Sequence, residues 1–159
     1  MGPLLFLLYI NDITENITSD IRLFADDCIL YRCISSIGDC IALQHDIDTL
    51  LAWSNTWKMH FNPSKCQVMS VTRQRKRLLF VHRLGEVVLP CVASFTYLGV
   101  VISSDLRWNL HTDMVTAKAT RTLNLIRRNL YRCPQNIKSL AYTTLVRPLL
   151  SYASAAWDP

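Results

Sequence analysis

Two adjacent carboxylates stand between two short apolar runs near the start of the chain. The Asp26-Asp27 pair follows residues 21–25 and precedes residues 28–31. Carboxylate oxygens are hard ligands that suit Mg²⁺, which binds one or two carboxylates together with substrate phosphates. Two such ions support phosphoryl transfer by activating the attacking oxygen and stabilising the leaving oxygen. Asp is also a common turn residue, and the pair taken alone favours that simpler interpretation.

The elements around the pair predict how it is held. Two strand-like runs separated by two residues are typical of a tight β-hairpin, with both acids at its tip. Upstream, residues 3–14 are apolar nearly all round, as in a helix buried in a larger core. Downstream, apolar residues at helical spacing between Cys40 and Trp57 predict a second helix, which Asn62-Pro63 ends.

In the rest of the chain, the predicted secondary structure changes from strands to helices near residue 105. Short strands are predicted for residues 66–71, 78–81, 86–92 and 95–102. Helices are predicted for residues 112–131, from Ile137 to just before Pro148, and for 149–157. The predicted fold class is α+β, with a mixed portion over residues 1–104 and a helical portion over 105–159.

Composition and charge bound the kind of protein. Half of the 159 residues are apolar and 18% are charged, which excludes an intrinsically disordered chain. The net charge of +5 is divided unevenly. Residues 1–60 hold three Lys/Arg and eight Asp/Glu, whereas residues 61–159 hold fourteen Lys/Arg and four Asp/Glu. An acidic part joined to a basic part suggests two roles, and the basic part suits a polyanion.

Membrane, secreted and zinc-binding classes are not favoured. The apolar run over residues 4–10 is far shorter than the roughly 20 residues that span a bilayer. It also lacks the basic start and small-residue cleavage site of a signal peptide. The six cysteines are scattered without a C-x-x-C pair, so we interpret them as reduced packing residues of an intracellular protein.

A basic stripe is predicted on the long helix of the second portion. Four cations recur at spacings of 3, 7 and 4 residues, which places them roughly opposite Leu123 and Ile126: Lys118, Arg121, Arg128 and Arg132. Such a stripe binds nucleic-acid phosphates without sequence specificity, or it is simply a solvated helix face. The spacing alone does not decide between the two.

Four ordered segments together resemble the reverse transcriptases of non-LTR (LINE-type) retrotransposons. The first segment runs from Gly2-Pro3 through Asn11-Asp12 to Phe24-Ala25-Asp26-Asp27, and the second runs from Trp53 through Trp57-Lys58-Met59 to Lys65-Cys66. The third runs from Phe95-Thr96-Tyr97-Leu98-Gly99-Val100 to Trp108 and His111. The fourth runs from Arg147-Pro148 through Tyr152 to Trp157-Asp158-Pro159. The resemblance covers essentially the whole chain. It is far more specific than the acidic pair alone.

The resemblance implies a partial polymerase palm followed by a thumb. The palm, with a helix, a β-hairpin, a helix and short antiparallel strands, would occupy residues 1–104. It would include a primer-grip hairpin at Tyr97, Leu98 and Gly99, and an all-helical thumb would occupy residues 105–159. The implied activity is RNA-directed DNA polymerisation.

The resemblance also implies site residues. Asp26 and Asp27 would be the catalytic pair that binds Mg²⁺ in a two-metal site, with Asp26 the stronger candidate for direct binding. Lys65 would lie near the leaving pyrophosphate, although a solvated lysine after a turn explains it equally well. The incoming nucleotide would be bordered by four residues: Gly2, Pro3, Phe24 and Ala25.

The partners follow from the same resemblance. The stripe of Lys118, Arg121, Arg128 and Arg132 would contact the duplex of RNA template and DNA primer, and the full-length enzyme would bind a deoxynucleoside triphosphate (dNTP). Location in the nucleus follows from the family alone. No membrane-spanning segment is expected.

The family pattern also requires parts that these residues do not supply. A third aspartate on an earlier strand, the fingers and the upstream part of the palm should precede Gly2. We therefore expect an incomplete site, an inactive fragment, and self-association through an exposed palm edge. Two alternatives remain: a non-catalytic nucleic-acid-binding remnant that uses only the basic half, and a relic without function.

Overall fold

The computed structural model describes residues 2–72, 78 and 80–158, and these form two compact units. The helices are α1 (Gly2–Ile10), α2 (Ile37–Trp57), α3 (Asn109–Asn129), α4 (Gln135–Ala141), α5 (Arg147–Ser151) and α6 (Ser154–Trp157). The strands are β1 (Asp20–Phe24), β2 (Asp27–Tyr31), β3 (Arg83–Leu84), β4 (Val87–Val88), β5 (Ser94–Tyr97) and β6 (Val100–Ser103). The α+β class is confirmed.

The first unit contains residues 2–68, 78 and 80–91. Its core is built where α1, a following 3₁₀ turn (Asn11–Thr14) and α2 meet one face of the antiparallel β1–β2 hairpin. Ile10, Ile13 and Leu50 are buried at its centre. Alternate strand residues join this core because successive side chains of a strand point to opposite faces: Ile21, Leu23, Cys28 and Leu30.

Helix α2 has a defined start and end. At its start, the Asp39 carboxylate accepts hydrogen bonds from the backbone N–H groups of Ser35 and Ser36, which satisfies donors that a helix terminus leaves free. At its end, Lys58 adopts a left-handed conformation with a φ of 60°, and Met59 N–H donates to the Ser54 carbonyl. The helix therefore has a fixed length of 21 residues between the hairpin and the segment that follows.

The second unit contains residues 69–72 and 92–158. The antiparallel β5–β6 hairpin precedes α3, which packs against the later helices through an apolar stripe. Ala119, Ile126, Ala141 and Val146 are buried there. A π-helical turn (Tyr142–Val146) leads directly into α5. Each unit therefore has its own buried cluster.

Several sequence predictions are wrong in detail. Residues 66–71 form no strand and contribute only an isolated bridge between Val68 and Cys91. The helix predicted to stop before Pro148 continues through it. The wider π-helical turn lets Arg147 N–H bond the Tyr142 carbonyl, so the missing N–H of Pro148 interrupts nothing. The predicted strand over residues 95–102 is a hairpin.

The last division between the compact units falls between residues 91 and 92, and the subdomain boundary at residues 104 and 105 stays a prediction. The β5–β6 hairpin belongs to the compact unit of the helices that follow it. In the predicted strand 78–81, residues 78, 80 and 81 lie outside any strand, and residue 79 lies outside the described residues. No helix in the described ranges is long and apolar enough to cross a membrane.

Candidate active site

The β1–β2 hairpin places the two aspartates differently from the prediction. The last paired residues are Phe24 and Asp27, so the two-residue turn consists of Ala25 and Asp26. Both acids were predicted to lie in the turn, whereas Asp27 is the first residue of β2. The shift arises because Leu23 pairs with Cys28 on the core face, and burial of that pair sets the register.

Both carboxylates are exposed at the tip of the hairpin. Asp27 shares the outer face with its partner Phe24, whose side chain is 58% exposed, while the inner face is anchored in the core. Two adjacent exposed carboxylates offer the oxygen donors that Mg²⁺ prefers. No group of three or more His, Cys, Asp or Glu residues arranged to bind a metal occurs among the residues described.

Lys65 lies in a short turn whose geometry is set by Asn62. The Asn62 side-chain oxygen accepts a hydrogen bond from Ser64 N–H at 3.1 Å, and its carbonyl accepts one from Lys65 N–H at 3.0 Å. The lysine side chain is exposed. The following residue, Cys66, is half-buried. Burial raises the pKa of the Cys28 thiol to about 11, and Cys66 adds to the rise. The turn therefore presents Lys65 to solvent.

The two residues expected beside the nucleotide begin α1. Gly2 is the first helical residue, and a Cβ at this position would meet no described atom within 4 Å. Pro3 follows in the first turn, where a missing N–H costs nothing. Nothing in the local packing requires glycine at position 2.

The open end of the aspartate hairpin is fixed by a buried carboxylate. Asp46, on α2, is fully buried and accepts hydrogen bonds from the backbone N–H groups of Thr18 at 3.0 Å and Ser19 at 2.8 Å. Burial alone would raise the pKa of Asp46, but the hydrogen bonds from Ser19 and Thr18 outweigh it and hold the pKa below its ordinary value. From the end of β2, Arg32 donates to the Thr18 hydroxyl at 3.0 Å. Both strands are therefore tied together at the end opposite the acids.

In the second unit, the turn between β5 and β6 contains the residues predicted as a primer grip. Tyr97 pairs with Val100, and Leu98 and Gly99 form the two-residue turn. Their φ angles are 47° and 80°, so both occupy the left-handed region that a type I′ turn requires. Tyr97 is half-buried, whereas Leu98 and Gly99 are exposed. The turn is thus an accessible tip of defined backbone conformation.

The basic stripe on α3 consists of three of the four predicted cations. Lys118, Arg121 and Arg128 are exposed, and the two arginines line an open surface groove with Leu125. Among the described residues, none of the three is ion-paired with a carboxylate. Arg132 was also predicted on this helix, but α3 ends at Asn129. Arg132 instead hydrogen-bonds the Tyr131 hydroxyl and stacks on its ring.

The comparisons with known proteins identify the family. A sequence model of the reverse transcriptase (RNA-dependent DNA polymerase) family matches residues 1–102. This chain therefore belongs to the reverse transcriptase family. The matched range includes Asp26, Asp27 and Lys65 and most of the β5–β6 hairpin, and it ends before α3. No curated protein and no solved structure matches the chain.

Three residues with structural roles were not found from the sequence. Asp46 has a usable signal, because it interrupts an apolar helical stripe between Leu43 and Leu50. Such a polar residue at a core position usually has buried partners. His111 and Tyr152 have no comparable signal, because the sequence does not show which backbone group of the β5–β6 hairpin each of them bonds.

Proposed function

We propose that this chain is part of the reverse transcriptase of a non-LTR (LINE-type) retrotransposon. The observation that supports this most directly is the exposed Asp26-Asp27 pair at the tip of an anchored hairpin, inside the range that matches the family. Family members extend a DNA primer on an RNA template with dNTPs. Retrotransposon origin, and with it location in the nucleus, rests on the four ordered sequence segments.

The proposed catalytic roles belong to residues at the tip of the β1–β2 hairpin. Asp26 and Asp27 would hold Mg²⁺, and exposed carboxylate oxygens suit that ion. When bound, Mg²⁺ would supply activation of the primer hydroxyl and charge stabilisation for the leaving pyrophosphate. Phe24 and Ala25, which flank the acids, would border the incoming nucleotide together with two residues at the start of α1: Gly2 and Pro3.

Lys65 would face the leaving group. Its side chain is exposed in a turn fixed by Asn62, so the ammonium group is free to meet a phosphate. An ammonium group at that point would stabilise the developing negative charge of pyrophosphate. If Lys65 is merely solvated, its replacement should leave nucleotide affinity unchanged.

The subdomain assignment remains our proposal. Residues 1–104 would be the partial palm, with Tyr97, Leu98 and Gly99 as its primer grip, and residues 105–159 the thumb. Lys118, Arg121 and Arg128 support this by forming an exposed cationic stripe that could contact phosphates of a template–primer duplex. Arg132, beyond the helix end, would extend the contact.

We further propose that the isolated chain does not polymerise DNA, because the site implied by the family uses a third carboxylate. The test is primer extension by the purified 159-residue chain on an RNA template with Mg²⁺. We expect no incorporation. Incorporation that Asp26→Ala abolishes would overturn the inactivity proposal, and Asp20→Ala, at the far end of β1, is the matched control.

A second candidate function is nucleic-acid binding without catalysis. The exposed arginines of the α3 stripe favour it. Salt-sensitive duplex binding that survives Asp27→Ala but weakens with Arg121→Ala and Arg128→Ala would support this function. Duplex binding lost equally in all three variants would contradict it.

A further inference from the structure

The turn at Leu98 and Gly99 fits closely against a residue that is distant in the sequence. A Cβ at Gly99 would lie 3.1 Å from Cε1 of Tyr152, which is closer than ordinary contact. The Tyr152 hydroxyl also donates a hydrogen bond of 2.9 Å to the Leu98 carbonyl. Glycine is therefore required at position 99 both for its φ of 80° and for the ring beside it.

Tyr152 is itself held by a chain of contacts that returns to the same hairpin. The Trp157 Nε1–H donates to the Tyr152 carbonyl at 2.9 Å. The Trp157 ring meets the His111 ring edge-on, with centroids 5.2 Å apart. His111 Nδ1 then accepts a hydrogen bond of 3.2 Å from Val101 N–H, on β6. These successive contacts link the turn through Tyr152, Trp157 and His111 back to β6 of the same hairpin.

His111 is the fully buried residue in this series of contacts. Its side chain is fully buried, and because Nδ1 accepts the Val101 amide, the ring proton resides on Nε2. Nε2 has no hydrogen-bond partner among the described residues, and the Trp108 and Trp157 rings flank the imidazole. The ring orientation is thus determined by one acceptor bond and two aromatic neighbours.

We propose that Tyr152, Trp157 and His111, named here the clasp, are positioning residues that hold the Tyr97–Gly99 turn in one orientation for the 3′-terminal nucleotide of a primer. This rests on the proposed primer-grip role. An isolated two-stranded hairpin is only marginally stable, so the turn needs external support. Positioning matters because small displacements of a reacting end cost large factors in rate.

The test compares two labelled RNA–DNA hybrids that differ only at the primer end. One has a recessed 3′ end and the other is blunt, and each is titrated with the full chain. We expect preference for the recessed end, and we expect Tyr152→Phe to reduce that preference by about threefold to tenfold, as for loss of one hydrogen bond. Trp157→Phe, which retains a ring without the N–H donor, should act in the same direction.

The matched control is Tyr142→Phe, an exposed tyrosine on the π-helical turn. It should leave the preference for the recessed end unchanged. Hydrogen exchange of the amides over residues 97–101 is measured in parallel. Tyr152→Phe should accelerate exchange there, while Tyr142→Phe should not.

The outcomes separate the clasp from the primer grip. Loss of preference in Tyr152→Phe with faster exchange supports the positioning role. A preference that persists in Tyr152→Phe overturns the clasp and leaves the primer grip standing. No preference in the unaltered chain overturns the primer grip and the positioning role with it, and faster exchange in Tyr152→Phe would then identify a purely structural contact.

Discussion

The carboxylate of Asp46 accepts a hydrogen bond of 2.8 Å from the backbone amide of Ser19, which directly precedes β1. The acceptor lies in the interior of α2, 27 residues away in the sequence, and is fully buried. This bond ties the strand that leads to Asp26 to the longest helix of the first unit. The orientation of the acidic tip therefore depends on a carboxylate far from it.

Asp46→Ala should destabilise the first unit. The change leaves the amides of Thr18 and Ser19 without their acceptor. Thr18 is exposed and its amide can bond water, whereas Ser19 is buried, and an unsatisfied buried donor costs about 1–3 kcal/mol. We expect the free energy of unfolding to fall by about 1–3 kcal/mol, mainly because of Ser19, measured by urea denaturation followed by circular dichroism. Asp48→Ala removes the same charge from the exposed face of α2 and should change the free energy of unfolding by less than about 0.5 kcal/mol. Equal effects of the two changes would contradict the role of Asp46.

Burial of His82 makes stability depend on pH. Burial lowers the pKa of this imidazole, so the folded chain binds its proton less readily than the unfolded chain does. The stability contributed by neutral His82 is present above the ordinary pKa of about 6.5 and is lost as pH falls below it toward the folded pKa. His82→Phe retains a ring against Phe80 and should flatten the stability profile between about pH 7.5 and 5.5.

The control for this profile is His45→Gln, an exposed position on α2. Its denaturation midpoints across the same pH range should follow those of the unaltered chain. A slope unchanged in His82→Phe would show that another group causes the acid sensitivity.

The turn that holds Asp26 is strained at its first residue. Ala25 has a φ of 50°, which costs a residue with a Cβ roughly 1–2 kcal/mol. Ala25→Gly should therefore raise the free energy of unfolding by about 0.5–1 kcal/mol, after the greater flexibility of the unfolded chain is allowed for. Ala52→Gly, at an exposed position within α2, should lower it by about 1 kcal/mol. Destabilisation by both changes would contradict the strain.

The α3 stripe should make duplex binding depend on salt. Each phosphate neutralised adds about 0.9 to the slope of log affinity against log salt. Arg121→Gln and Arg128→Gln should each reduce that slope by about 1 in anisotropy titrations of an RNA–DNA hybrid. Arg107→Gln is the control, because Arg107 is exposed and lies 3.7 Å from the Asp105 carboxylate, before α3 begins. A slope that falls equally for Arg107→Gln would indicate diffuse attraction rather than a defined stripe.

An exposed apolar helix face should make the chain self-associate. Four leucines of α1 are 55–76% exposed: Leu4, Leu5, Leu7 and Leu8. Exposed apolar area costs roughly 25 cal/mol per Å², so a second copy that covers it is stabilised. Leu5→Glu with Leu8→Glu should shift the sedimentation profile toward monomer, whereas Leu110→Glu on α3 should not. A monomeric unaltered chain at all concentrations would contradict this.

The sequence predicted the aspartate hairpin because its signal is local. Apolar runs of strand length on either side of two polar residues suffice to indicate a hairpin, but not which residues turn. The register depended on which side chains reach the core, and Leu23 and Cys28 pair there. Asp26 and Asp27 consequently occupy different positions, one in the turn and one in a strand.

Helix ends and weak strands were predicted less well for a related reason. Arg132 continues the basic periodicity, yet α3 ends at Asn129, and Cys133 N–H bonds the Leu130 carbonyl in the turn that follows. Residues 66–71 have strand composition, but only Val68 finds a partner, at Cys91. A strand requires a neighbour to bond, and composition does not supply one.

By itself, the sequence indicated the main helices, the aspartate hairpin and most of the basic stripe, since these follow from short-range patterns of residue type, and its ordered segments resembled the family. Only the tertiary structure decided which distant residues support them. Asp46 binds Ser19 across 27 residues, and Tyr152 binds Leu98 across 54. No local propensity encodes such pairs, because they exist only after packing of the apolar faces has brought separate segments together.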